Sequence, residues 1–140
     1  MPSNADVVAA ARNMIGTPWR HQGRLPGVAL DCAGLIVCVG KSLGFTMFDT
    51  IAYQRDAAPE VFVKCFRDHG REIPLAAVHD GVVLTLRDNK YPCHCGIVGS
   101  NEHGLTLIHA FARRRRVIEE QLTHHWLMLA TDAFEYPGVR

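Results

Sequence analysis

Three residues far apart in the chain have the types that nucleophilic acyl chemistry needs: Cys32, His94 and His109. Cys32 follows Asp31 where a segment with several glycines and prolines, Gly16 to Gly27, gives way to a strongly apolar stretch. If that stretch is a helix, Cys32 opens it and Asp31 can cap it. First-turn N–H groups lack internal partners and carry the positive end of the helix dipole, so they favour thiolate over thiol. They can also receive the oxyanion formed when a thiolate attacks a carbonyl. Position alone leaves a second reading open, a small core residue, because free cysteine is among the most buried residue types.

A nucleophilic cysteine needs a base close in space. Of the eight histidines, His94 (Cys93-His-Cys-Gly-Ile-Val) and His109 (Leu107-Ile-His-Ala) fall in runs that read as strands. A hairpin turning through Asn101 to Gly104 would bring them together on one face. His94 would then take the thiol proton, while His109 would hold the His94 ring in its tautomer and orientation. Taken singly, each is better read as a partly buried histidine satisfied by backbone carbonyls. His21, in the loop before Cys32, is a candidate to line the same cleft. His69, His79 and His103 fall in expected turns and His124-His125 at an expected strand edge, all read as solvated.

Cys93-His94-Cys95 invites a metal reading, but strand neighbours alternate faces, so both cysteines would point away from His94. The Cys-x-Cys spacing is also tighter than that of zinc sites, and no second pair supports it. No metal or other cofactor is expected. Cys38, six residues after Cys32, lies about 240° round a helix and reads as core. Cys65, in an apolar helical stripe, reads the same way. Alternation splits the run Arg113 to Arg116 between two faces, as in a solvated strand or turn. The alternative is a grip on carboxylates or phosphates.

The elements that must position these groups fall into two halves. Ala5 to Ile15 has helical spacing, with Ser3 or Asn4 as cap and Gly16-Thr-Pro as stop. Leu30 to Leu43 reads as a buried helix ended by Gly44, and Pro59 to Asp68 as a third, with Val61, Phe62, Cys65 and Phe66 on one face. After Pro74 come short runs rich in Val, Ile, Leu and Thr: Gly81–Leu86, His94–Gly99, Leu105–Ala110, Arg115–Glu119 and Trp126–Ala130. Asp88-Asn89, Ser100-Asn101 and Gly104 punctuate them as turns. Helices followed by hairpin-linked strands predict an α+β fold with an antiparallel sheet.

The 140 residues match one domain, 1–140, and 48% apolar against 21% charged content supports a packed core. A formal charge of +1 gives no global field toward nucleic acid or an anionic membrane. The start lacks the pattern of a secretory signal, and Val28 to Val39 is too short and too interrupted to span a bilayer. Synthesis in the cytoplasm, with the five cysteines as thiols, is therefore expected.

Asp31-Cys-Ala-Gly-Leu, then His94-Cys-Gly-Ile-Val, then Ile108-His-Ala resembles, in that order, the motifs of the NlpC-type branch of papain-like cysteine peptidases. The resemblance runs from about Val7 to Val117. The loop Gly16-Thr-Pro-Trp-Arg-His-Gln-Gly-Arg is similar to phage and prophage members, often found among tail genes. The resemblance implies a helical half carrying the nucleophile, packed on a small antiparallel sheet carrying the histidines. It implies Cys32 as nucleophile, His94 as base, His109 as its orienting partner, and a peptidoglycan stem peptide as substrate. It also places Trp19 near the oxyanion site, where many relatives have Tyr; an indole N–H donates but cannot accept. With Trp19, His21 and Asp31 become candidates for the substrate or oxyanion site. The expected function is a cell-wall peptidase of phage or prophage origin, with virion association or delivery to the wall and phage tail proteins as partners. Amidase, thioesterase or acyltransferase chemistry with the same triad is the alternative, as is a non-catalytic tail-assembly module.

Overall fold

A computed structural model describes residues 1–45, 59–88 and 91–139; for 59–62, 88 and 91–93 it describes the backbone alone. The chain is α+β. Helix α1 (Asn4–Arg12) leads through a short ribbon, β1 (Arg24–Leu25) with β2 (Ala29–Leu30), into α2 (Cys32–Ser42). Helix α3 (Pro59–His69) and strand β3 (Arg71–Ile73) follow, then β4 (Val83–Asp88), β5 (Tyr91–Asn101), β6 (Gly104–Phe111), β7 (Arg116–Gln121), α4 (His124–Leu129) and β8 (Ala130–Glu135). The six longer-range strands form one antiparallel sheet in the order β3-β8-β4-β5-β6-β7.

Helix α1 starts at a full capping box. The Ser3 hydroxyl accepts from the Asp6 N–H, and the Asp6 carboxylate accepts from the Ser3 N–H. It is shorter than the expected Ala5–Ile15. Beyond Arg12 the N–H groups of Met14 and Ile15 donate to carbonyls three residues back, at 3.0 and 3.2 Å, so the chain tightens into turns before Gly16. Of the residues at helical spacing, Val7, Val8, Ala11 and Met14 still face inward, whereas Ile15, past the end of the helix, is exposed.

Period-two alternation builds two cores, one on each face of the sheet. Val83, Cys95, Ile97, Ile108, Ala110 and Phe134 face the helices, packing against Val7, Leu35, Ile36 and Val39. Leu84, Leu86, Val98, Leu107 and Ala133 face the other way, where Trp126 and Leu129 of α4 cover them. Each fully buried Val, Leu, Ile or Phe among them contributes about 1.5–3 kcal/mol of transfer free energy. Pairing of β5 with β6 runs from Asn101↔Gly104 to Ile97↔Ile108, closed by the two-residue turn Glu102-His103 and Gly104 at φ +114°.

Several expectations are corrected. Trp126–Ala130 is not a strand: Trp126 to Leu129 belong to α4, and Ala130 begins β8. After Trp126 the stretch is Leu, Met and Ala without β-branching, which helices accept readily, and Leu127 and Met128 stay exposed. His124-His125 accordingly sit in the first turn of that helix, and His69 closes α3. His79 is half-buried, with Nε2 3.2 Å from Glu135, rather than solvated. Strands β3 and β8 extend the sheet beyond the predicted set. Segment 16–27 is more ordered than a plain loop, holding β1 and bridges from Pro18 to Arg116 and from Trp19 to Leu30. Cys38 is buried as expected, whereas Cys65 is half-buried. Asn89 and the side chains of Val61, Phe62 and Cys93 lie outside the described residues.

Candidate active site

Cys32 is the first residue of α2, and Asp31 is its cap. The Asp31 carboxylate, itself buried, ties three segments together. Oδ1 accepts from the Gly34 N–H (2.7 Å) and from Arg24 Nη1 (2.9 Å), and Oδ2 accepts from the Gln22 N–H (2.8 Å). Arg24 Nη1 also donates to the Gly23 carbonyl at 2.9 Å. Gln22 has φ +61°, a conformation costing a non-glycine residue about 1–2 kcal/mol, and its bond to Asp31 helps hold it there. Gly34 is required by close approach: a Cβ there would lie 2.0 Å from the Gly23 carbonyl oxygen. Asp31 and Gly34 thus press the loop against the helix start.

The N–H groups of Cys32 and Ala33 have no acceptor among the described residues, as expected of a helix's first turn. The Cys32 thiol is lowered to about 5. A hydrogen bond from the Cys95 thiol is the largest cause; burial opposes it, and a hydrogen bond and charge interaction with His94 add to it. Cys95, enclosed on the helix side of β5, moves the opposite way. Burial raises it first, and the neighbouring Cys32 adds to the rise. One sulfur is therefore disposed to be thiolate and the other stays thiol, its S–H donating. Cys32 as a residue is partly exposed.

His94 and His109 lie just beyond the last β5–β6 pair, Ile97↔Ile108. His94 Nε2 is 2.7 Å from His109 Nδ1. With that nitrogen engaged, Nδ1 is the one His94 has for Cys32. His109 is fully buried; its Nε2 is 2.8 Å from Glu120 Oε2, and Glu120 Oε1 accepts from Trp126 Nε1–H at 3.1 Å. Burial first, then the neighbouring His94, lowers His109 to about 4, while Glu120 pulls it upward. Phe111 and Trp126 wall the pair, Phe111 stacking on His109 with ring centroids 4.9 Å apart and Trp126 meeting it edge-on at 5.2 Å.

The structure thus brings Cys32, His94 and His109 together, with Asp31 as the cap beneath. Trp19 packs against the same core as Cys32 and Ala33, and its backbone N–H donates to the Arg115 carbonyl. His21 lies half-buried in the turn before β1. Cys95, Glu120 and Trp126 also belong to the site and carry no sequence signal of their own. Only the β6–β7 register, which puts His109 opposite Ile118, brings Glu120 within reach of an imidazole.

No family model matches the chain, and no curated protein does either. Solved structures do. The NlpC/p60 domain of the peptidoglycan hydrolase SagA superposes with a TM-score of 0.68 at 20% identity, covering 95% of this chain and 98% of that one. An NlpC/P60 family protein from Bacillus cereus gives 0.71 at 16% identity, covering 96% of this chain and 40% of its own length. An N-acetylmuramoyl-L-alanine amidase from Bacteroides uniformis gives 0.63 at 10% identity, covering 95% and 98%. Helices packed on a six-stranded antiparallel sheet, an architecture shared with these structures across nearly all of its length, give this chain the papain-like NlpC/P60 fold.

Proposed function

We propose that the chain is a cysteine peptidase that hydrolyses peptide bonds in the stem peptides of bacterial peptidoglycan. The observation that carries this reading is the Cys32 thiol, lowered to about 5 at a helix start and in contact with an imidazole that a second imidazole holds. The thiolate sulfur attacks the carbonyl carbon of the scissile bond, and the oxyanion meets the free N–H groups of the first turn of α2. His94, protonated at Nδ1, gives that proton to the leaving amine as the C–N bond breaks. A water then loses its proton to His94 and attacks the thioester; the acid leaves, and the Cys32 thiolate returns with the imidazolium. Fold likeness to the SagA domain, described as part of a peptidoglycan hydrolase, supports the substrate class.

The amidase reading, in which the bond cut joins muramic acid to the first alanine, is favoured by one observation: likeness to a structure described as an N-acetylmuramoyl-L-alanine amidase. The phage or prophage setting, with delivery to the wall and tail proteins as partners, rests on the Gly16–Arg24 loop of the sequence. Digestion of purified peptidoglycan followed by mass spectrometry of the muropeptides separates the readings. Cleavage within stem peptides that disappears in Cys32→Ala, with the fold intact, is expected. Release of whole stems from glycan selects the amidase, and equal digestion by Cys32→Ala refutes both.

A further inference from the structure

The contacts behind the two histidines fix where their protons must sit. A carboxylate accepts and never donates; an indole N–H donates and never accepts. Glu120 Oε1 is taken by Trp126 and Oε2 faces His109 Nε2, so His109 Nε2 carries a proton. His109, buried and lowered to about 4, is neutral at pH 7, and its Nδ1 is bare. A bare nitrogen 2.7 Å from His94 Nε2 requires an N–H there. That leaves His94 Nδ1 to take the Cys32 proton, and it lets His94 hold both protons when Cys32 is thiolate.

We propose that Glu120 is a positioning residue of this site: acting through His109, it dictates which nitrogen of His94 exchanges the proton with Cys32, and Trp126 keeps Glu120 in place. The proposal rests on reading Cys32 as the nucleophile and goes beyond it by adding a fourth group to the line. Arg114, Arg116 and Glu119 line an open groove at β7 together with Glu120. None of those three is bonded to His109 among the described residues, so of these carboxylates and guanidiniums Glu120 is the one that bears on its tautomer.

Glu120→Gln preserves shape but leaves one oxygen for two donors, Trp126 N–H and His109 Nε2–H. With the oxygen kept by Trp126, the amide NH2 faces His109 Nε2. The His109 proton then moves to Nδ1, where it opposes the N–H of His94, and the doubly protonated His94 that accompanies thiolate is disfavoured. Nitrogen-15 spectra of the imidazoles should show His109 as Nε2–H in the wild type and Nδ1–H in Glu120→Gln. The pH midpoint for alkylation of Cys32 by iodoacetamide should rise, and kcat should fall about tenfold to a hundredfold with KM little changed. Adding Trp126→Phe frees the amide oxygen to turn to His109, so Glu120→Gln with Trp126→Phe should be alkylated faster at neutral pH than Glu120→Gln alone. Glu119→Gln removes the same charge one residue away and should leave tautomer and midpoint unchanged.

A wild-type His109 protonated at Nδ1 would overturn the proposal, as would an unchanged tautomer and midpoint in Glu120→Gln, or an equal shift in Glu119→Gln. Should Glu120→Gln not fold, the wild-type tautomer decides. Spectra and alkylation need no peptidoglycan, so a protein that leaves the wall uncut yet shows these shifts refutes the proposed substrate and supports the Glu120 assignment. A protein that cuts the wall without them does the reverse.

Discussion

Glu119 and Glu120 are consecutive on β7, and the pleat sends them to opposite faces of the sheet. Glu119 points toward the helices. Arg12 of α1 grips it with Nε and Nη2 at 3.0 and 2.8 Å, and the buried Thr106 hydroxyl donates to it at 2.7 Å. Glu120 points to the opposite face, where it holds the His109 imidazole and the indole of Trp126 on α4 instead. The residue type is the same, but one carboxylate fastens a helix to the sheet and the other feeds a line of side chains ending at a sulfur. Face, and not sequence neighbourhood, decides which carboxylate belongs to the chemistry.

Substitutions on the helix face can break that contrast. The larger effect expected is on stability in Glu119→Ala, which takes the carboxylate from Arg12, leaving only its Nη2 bond to the Ser100 carbonyl, and leaves the Thr106 hydroxyl without that acceptor. The loss is about 1–2 kcal/mol in denaturant unfolding at neutral pH. Glu119 is held below its ordinary value of 4.5, chiefly by its hydrogen bond from Arg12. A carboxyl lowered on folding contributes its stability above the unfolded value and loses it as pH falls through the folded one. The gap between wild type and Glu119→Ala should therefore close in acid. A gap that persists at low pH, or one accompanied by a shifted Cys32 alkylation profile, erases the distinction between the two carboxylates.

The smaller effect sharpens it. Cys95 lies on the helix face yet donates to the Cys32 thiolate, so Cys95→Val should slow alkylation of Cys32 at pH 5 about threefold, the effect at the midpoint of losing one hydrogen bond of about 1 kcal/mol. Cys95→Ser, which keeps a donor, should lose less. Identical profiles for Cys95→Val and wild type would mean that the second thiol gives the thiolate nothing.

The Cys32 end of the site was readable in the sequence because its signals are local: a loop, Asp31 as cap, an apolar helix, and Gly34 where the loop presses closest. The meeting of His94 with His109 was readable at one remove, through a hairpin turn that the punctuation at Asn101 and Gly104 announces. Glu120 was not, since its role depends on a second register, β6 against β7, across an Arg-rich connection with no turn signature and with Arg115 at φ +60°. Cys95 escaped for a different reason. Alternation turns it away from His94, as expected, but the start of α2 packs on that side of the sheet and meets it there. Helix α4 escaped because a short apolar run has no period to read.

The central claim is that Cys32 is a thiolate at neutral pH because of what surrounds it. Alkylation of Cys32 by iodoacetamide, followed residue by residue by mass spectrometry from pH 4 to pH 10, measures this directly. A rate already on its plateau at pH 7, falling only as the solution is acidified toward about 5, is the predicted result. A rate still climbing through pH 8 toward a midpoint near 9.0, that of an ordinary thiol, would contradict it.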